Sequence, residues 1–234
     1  MCGACAERGG LDWARPFVAG LPARGAVAAA VKAFARPGLR VTVRGGGWLV
    51  SAPTGRTFAC AALTELIDAA RPWLTGADEF VPRGSGTLTV PGPDARHPVR
   101  IRIDPAAPPR SLAEGWDVVV PGADEAHHVL TQLANPPWSL RCYLAEFPLG
   151  STDDDPRATK PENQPPRTRT PTSTRPGAPT VVDGGSADCA ADLLVWLEMT
   201  RPTLDHVVAR CPLDPVSHLD VEIRAGHVVR ARAT

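Results

Sequence analysis

Apolar residues recur at a helical period in two places in the first half of the chain. The first set, spaced i, i+3, i+4 and i+7, is Val27, Ala30, Val31 and Phe34, and Pro37-Gly38 follows it. The second set is Leu63, Leu66, Ile67, Ala70 and Leu74, with charged residues on the opposite side. Such spacing gives a helix one apolar face. We therefore expect two amphipathic helices that pack on a common core.

Between these helices the apolar positions recur every second residue, which is typical of half-buried strands. Residues 40–44 and 47–51 alternate in this way on either side of Gly45-Gly46. Residues 56–60 follow a turn-forming Pro53-Thr54-Gly55 sequence. The pattern predicts two strands joined by a tight turn and a third strand after them.

A second block of alternating elements extends to residue 146. Strands are expected at 87–90, 99–103 and 116–120, followed by a helix that opens on Asp124 and Glu125. The alternating run 138–146 then predicts a further strand, with Trp138 and Leu140 on its apolar side. Together these elements predict an α+β fold, with a mixed or mainly antiparallel sheet and packed helices.

Residues 151–180 are rich in Pro, Thr and Arg, with no large apolar residue. Such a segment cannot bury enough surface to offset the entropy of ordering, so we expect a disordered linker. The chain then divides into an N-terminal CxxC segment at 1–10, an α+β domain at 11–150, the linker, and a C-terminal part at 181–234. About 50 residues seldom form a stable core alone, so we expect the C-terminal part to dock on the first domain.

The C-terminal part itself shows three predicted elements. Ser186 is a suitable N-cap for a helix that continues through Thr200. A short helix is expected from Pro202 to Cys211, and residues 219–231 alternate around Ala225-Gly226 as a hairpin.

Charge and composition exclude several classes of protein. Lys and Arg number 25, as do Asp and Glu, so no overall field attracts nucleic acid, and binding to nucleic acid is disfavoured. No run of apolar residues reaches the length of a bilayer span, and the first residues lack the pattern of a signal peptide. We therefore expect a cytoplasmic protein with no membrane partner.

Cys2 and Cys5 form a CxxC pair, the one recognisable motif in the chain. Two thiolates at this spacing can bind one tetrahedral zinc ion, which is the single cofactor that the sequence indicates. Two further ligands would have to come from distant residues, and an inert terminus is the alternative. A thiol nucleophile is a further alternative, for which Cys142 with His127 or His128 is the short-range candidate.

Outward-facing arginines are the most suggestive surface feature. They occupy polar positions of the predicted strands and comprise Arg40, Arg44, Arg100, Arg102, Arg230 and Arg232. If these strands shared a sheet, the arginines would form a basic face suited to an acidic protein surface, although charged strand residues also protect sheets from aggregation. We therefore expect a noncatalytic cytoplasmic module for macromolecular, mainly protein–protein, binding or regulation. The alternatives are a zinc-stabilised regulatory module and a thiol-dependent enzyme.

Overall fold

The structure is a computed structural model that describes residues 12–76, 78–92, 96–108, 111–112, 116–136, 138–146 and 178–234. Within these ranges the chain forms four α-helices and eleven strands in three sheets. The fold is α+β, which confirms the predicted class. The predicted zinc ligands Cys2 and Cys5 lie outside the described residues, as do residues 151–177 of the predicted linker.

The four helices correspond to predicted apolar stripes. They are α1 (Leu21–Phe34), α2 (Leu63–Ala70), α3 (Ala123–Ala134) and α4 (Ala190–Thr200). Short 3₁₀ turns cover Arg71–Trp73, Trp138–Leu140, Ala187–Cys189 and Arg201–Thr203. No described helix combines the length and apolar character that crossing a bilayer requires.

The first sheet is the antiparallel meander β1 (Arg40–Arg44), β2 (Gly47–Ser51) and β3 (Thr57–Cys60). Val41 of β1 is buried, whereas Arg40 and Arg44 are exposed, as alternation predicts. The first sheet and α1 are therefore close to their sequence prediction.

The second sheet contains β4 (His97–Ile103), β5 (Ser111–Leu112), β6 (Asp117–Val120) and β7 (Cys142–Glu146) in the order β5-β6-β4-β7. β4 lies between β6 and β7 and is parallel to both, whereas β5 is antiparallel to β6. The helix α3 connects β6 to β7 by way of the 3₁₀ turn.

The third sheet contains β8 (Thr180–Asp183), β9 (His206–Pro212), β10 (His218–Arg224) and β11 (His227–Ala233). β9, β10 and β11 form an antiparallel meander, and β8 adds parallel to β9. Residues Leu219, Val221 and Ile223 of β10 point into the core. The predicted hairpin is therefore the last part of a four-stranded sheet.

One hydrophobic cluster joins residues from both sides of the predicted linker. α4 packs between α1 and α2, and Leu193, Leu194 and Leu197 are completely buried. α3 packs along β11. The C-terminal elements thus complete the core of the earlier ones.

Three local predictions are wrong. Residues 87–90 belong to none of the strands in the described part of the chain, and Thr89 instead donates its backbone N–H to the carbonyl oxygen of Phe17. Residues 206–212 form β9 rather than a helix, because Val207, Ala209 and Cys211 alternate inward. Trp138 and Leu140 lie in a 3₁₀ turn and are exposed, since Pro136 and residue 137 precede the strand start.

Candidate ligand-binding cleft

A cleft of about 710 Å³ lies between α3, β7 and the last residues of β11. Residues 90–92 and the N-terminal segment 13–17 complete its walls. Its volume falls in the range of small-molecule and peptide-anchor pockets. The cleft thus combines residues from the beginning, middle and end of the chain.

The walls of the cleft are mainly apolar because two elements direct their hydrophobic side chains into it. α3 supplies Leu130, Leu133 and Ala134 at helical spacing, and the N-terminal segment supplies Trp13 and Phe17. Both aromatic residues are only 1% exposed. They therefore form the floor of the cleft, beneath the half-buried lining residues that a ligand can contact.

The position of Trp13 is fixed by a buried carboxylate on α4. The Trp13 indole Nε1 donates to Glu198 Oε2 at 2.9 Å, and Arg201 Nε donates to the same oxygen at 3.0 Å. Glu198 is 1% exposed, so both donors are needed to satisfy it. One wall of the cleft is therefore held by a hydrogen bond to a helix 185 residues away in sequence.

The neighbouring Asp12 caps α2. Its carboxylate accepts the backbone N–H of Leu63 at 2.7 Å and that of Ala14 at 3.0 Å. Burial raises the pKa of Asp12 from 3.8 to about 6, although these two N–H groups act in the opposite direction and the charges of Glu198 and Glu65 add to the rise.

Asn135 connects this network to the C-terminal end of α3. Its amide Nδ2 donates to the carbonyl oxygens of Asp12 at 3.1 Å and Thr131 at 2.6 Å, and its Oδ1 accepts from Arg15 at 3.2 Å. The two apolar walls are thus joined by buried hydrogen bonds. Such a satisfied network makes the cleft a preformed feature of the fold.

Arg232 places a positive charge at the wall formed by β11. Its Nη1 donates to the carbonyl oxygen of Ala145 at 2.6 Å. Its buried Nε donates no hydrogen bond, and no described carboxylate forms an ion pair with this guanidinium. Arg230 Nε on the same strand is also buried without an acceptor, so what distinguishes Arg232 is that it lines the cleft and forms no ion pair with a described carboxylate.

A second guanidinium, that of Arg96, also lines the cleft. It lies 5.8 Å from the centroid of the Tyr143 ring and donates to the carbonyl oxygen of Ser139. No Asp or Glu occurs among the described residues that line the cleft. The described lining of the cleft therefore carries the charge of Arg232 beside apolar side chains.

Neighbouring arginines of the third sheet differ from Arg232 because they have carboxylate partners. Arg210 pairs with Asp220 at 2.7 Å, and Arg224 and Arg230 pair with Glu222 at 2.9 and 3.3 Å. His206 lies 3.1 Å from Glu222, which is completely buried. These pairs stabilise the sheet, whereas Arg232, which lies opposite Asp220 in the strand pairing, forms no ion pair with a described carboxylate.

The arginines singled out in the sequence do not share one sheet. Arg40 and Arg44 lie on the first sheet, Arg100 and Arg102 on the second, and the remaining pair, Arg230 and Arg232, on the third. The condition for a single basic sheet face is therefore not met. The structure brings Arg232 to the cleft and brings Arg230 to the buried Glu222.

The cysteines and histidines that the structure describes show no arrangement typical of catalysis. Cys142 is 1% exposed, and burial raises the pKa of the Cys60 thiol to about 11 and that of Cys211 to about 12. His127 Nδ1 lies 2.8 Å from the carbonyl oxygen of Val228, and burial lowers its pKa. In the part of the chain that the structure describes, no group of three His, Cys, Asp or Glu side chains could hold a metal ion.

Comparison with models of protein families, with curated proteins and with solved structures gives no match for this chain.

Proposed function

We propose that this chain is a noncatalytic cytoplasmic binding module, and that its cleft receives a segment of a partner protein. The observation that carries the proposal is Arg232, a cation without a carboxylate partner at the wall of an apolar cleft. Specific binding sites commonly combine apolar walls with a few placed polar groups.

The lining of the cleft supports binding rather than catalysis. It contains apolar side chains, two guanidinium groups and the hydroxyl-bearing residues Tyr143, Ser217 and Thr234, but among the described lining residues no His, Cys, Asp, Glu or Lys. Guanidinium and hydroxyl groups hold a ligand in place, whereas proton transfer near neutral pH usually uses one of the missing residue types. Free, buried cysteines at 60, 142, 189 and 211 support the proposed cytoplasmic location.

A site-specific photocrosslinking experiment tests this function. Tyr143, which lines the cleft and is half-buried, is replaced by p-benzoylphenylalanine, and the variant is irradiated in the cells that make the protein. Phe58 on β3 is the matched control, because it is also a half-buried aromatic residue but does not line the cleft.

We expect a discrete crosslinked protein adduct from position 143 and none from position 58. Replacement of Arg232 by Met should weaken that adduct without changing the folded state. Equal adducts from both positions, or none from position 143, would contradict the proposed function. An adduct of small-molecule mass would show a cleft that binds metabolites instead.

A further inference from the structure

We propose that the cleft recognises an acidic side chain flanked by apolar residues, and that Arg232 binds its carboxylate. This inference rests on the proposed function and adds the chemical class of the ligand. It assigns to Arg232 the role of specificity-determining residue and to the apolar walls the role of binding the flanking residues.

Arg232 differs from the neighbouring arginines in its ion pairing. Each of Arg210, Arg224 and Arg230 has a carboxylate within 3.3 Å, yet Arg232, on the same sheet, has none. A cation bordered by apolar side chains is poorly solvated by water, so it strongly favours an incoming anion over a neutral group. A ligand with a positive charge is correspondingly excluded.

The guanidinium of Arg232 is oriented by a hydrogen bond to β7. The hydrogen bond from Nη1 to Ala145 fixes one end of the planar group against β7. Nε donates no hydrogen bond. Nε is buried while the side chain as a whole is half-buried, so an incoming carboxylate would meet the Nη N–H groups, which pair with carboxylate oxygens in protein structures. The cleft wall formed by β11 is therefore suited to binding a carboxylate.

The type of donor at the cleft wall favours an acidic side chain over a terminal carboxylate as the ligand. Terminal carboxylates are typically held by several convergent backbone N–H groups, whereas acidic motifs are read by arginine side chains. Here the donor at the cleft wall belongs to an arginine side chain, that of Arg232. The half-buried lining residues Pro16, Val90 and Pro91 provide apolar surface for residues that flank the acidic one.

Three short peptides test the proposal by isothermal titration calorimetry on the full chain. They are acetyl-Phe-Glu-Leu-amide, its carboxamide isostere acetyl-Phe-Gln-Leu-amide, and acetyl-Phe-Leu with a free terminal carboxylate. We expect the Glu peptide to bind roughly tenfold or more tightly than the Gln peptide, as a charge-assisted hydrogen bond implies. It should also bind more tightly than the peptide with the terminal carboxylate.

Substitutions of single arginines test whether Arg232 causes the preference for the Glu peptide. Arg232→Met should remove the preference for Glu over Gln, and Arg232→Lys should retain part of it because the charge remains. The matched control Arg210→Met should bind like the wild type, because Arg210 lies outside the cleft, pairs with Asp220 and has a side chain that is 63% exposed. Thermal melts of all variants separate loss of binding from loss of folding.

Ala134→Phe, which fills the cleft from α3, shows whether binding occurs there. Equal binding of the Glu and Gln peptides, both blocked by Ala134→Phe, would overturn carboxylate recognition and leave the proposed binding function intact. Tighter binding of acetyl-Phe-Leu would overturn the choice of an acidic side chain. Failure of all three peptides to bind at millimolar concentration would overturn both proposals.

Discussion

Asp12 is a residue whose protonation is coupled to folding. Its pKa rises from 3.8 to about 6 because the carboxyl is buried, with 3% of the residue exposed. The folded chain therefore holds this proton more tightly than the unfolded chain, and the free energy of unfolding falls as the pH rises between these values. A shift of this size corresponds to about 3 kcal/mol. His127 acts in the opposite direction, because burial lowers its pKa.

Comparison with Asp12→Asn separates the contribution of Asp12 from that of His127. The difference in unfolding free energy, wild type minus variant, should decrease by about 2 kcal/mol from pH 4 to pH 7. Urea unfolding at several pH values measures it. A difference that stays constant with pH would show that Asp12 has an ordinary pKa. The variant should also lose stability at all pH values, because an amide cannot accept from both Leu63 and Ala14.

Glu222 stabilises the third sheet by compensating the charges of Arg224 and Arg230. It is completely buried, so Glu222→Gln should destabilise the fold by about 3 kcal/mol, since each of these guanidinium groups loses a buried ion pair. Asp220→Asn is the control on the same strand, because its partner Arg210 is largely exposed and the pair contributes less. Equal losses of melting temperature in the two variants would contradict this assignment.

Individual residue roles were only partly predictable from sequence. Arg232 could be singled out by alternation, but its missing counter-ion depends on which strands become neighbours. The burial of Asp192 and Glu198 could not be predicted, because their partners come from residues 83–85 and from Trp13. A hint exists in α4, where these acids interrupt an otherwise apolar run.

At the scale of elements, the pairing of β2 with β3 depends on Gly47. A Cβ added there would overlap the carbonyl oxygen of Cys60 on the neighbouring β3 strand, whereas one added at Gly46 would meet no atom within 4 Å. Gly47→Ala should therefore destabilise the fold by about 2 kcal/mol or more, roughly 5 °C in melting temperature, because the two strands must separate. Gly46→Ala should leave the melt nearly unchanged. Similar melts for both variants would be inconsistent with this close approach.

Elements with a strong local period were predictable, and those defined by neighbours were not. α1, β1, β2 and the β10–β11 hairpin follow directly from apolar spacing and turn residues. The sequence predicts a helix in place of β9 because Pro202 is typical of a helix start. In the structure that helix is a single 3₁₀ turn, which ends at Thr203. The cleft was missed because its walls come from residues more than 100 positions apart, such as Trp13 and Leu133.

At the scale of the whole molecule, the C-terminal elements contribute to the core and to the cleft. A chain ending at Gly150 lacks α4 and β11, and the apolar surfaces of α1 and α3 then have no cover. We expect such a chain to aggregate or to melt without cooperativity. Calorimetric melting and light scattering measure this. A soluble truncated chain with a cooperative melt would instead indicate two independent units.

Deletion of residues 153–178 is the matched control for the truncation. It keeps every helix and strand described by the structure, and the entropy of loop closure depends only logarithmically on loop length. The melting temperature should therefore change little. A large loss would show that the deleted segment contributes to the folded state.

The Arg232 Nε–Hε signal in a ¹⁵N NMR spectrum tests the central claim most directly, because it reports on the donor that lacks an acceptor. The signal is assigned by its loss in Arg232→Met and followed during titration with acetyl-Phe-Glu-Leu-amide. We expect the Nε–Hε signal to shift progressively downfield. Its shift should saturate at the same peptide concentration as the shifts of the Leu133 and Tyr143 backbone signals. A stationary Nε–Hε signal, while the peptide saturates the protein, would contradict the claim that Arg232 recognises the ligand.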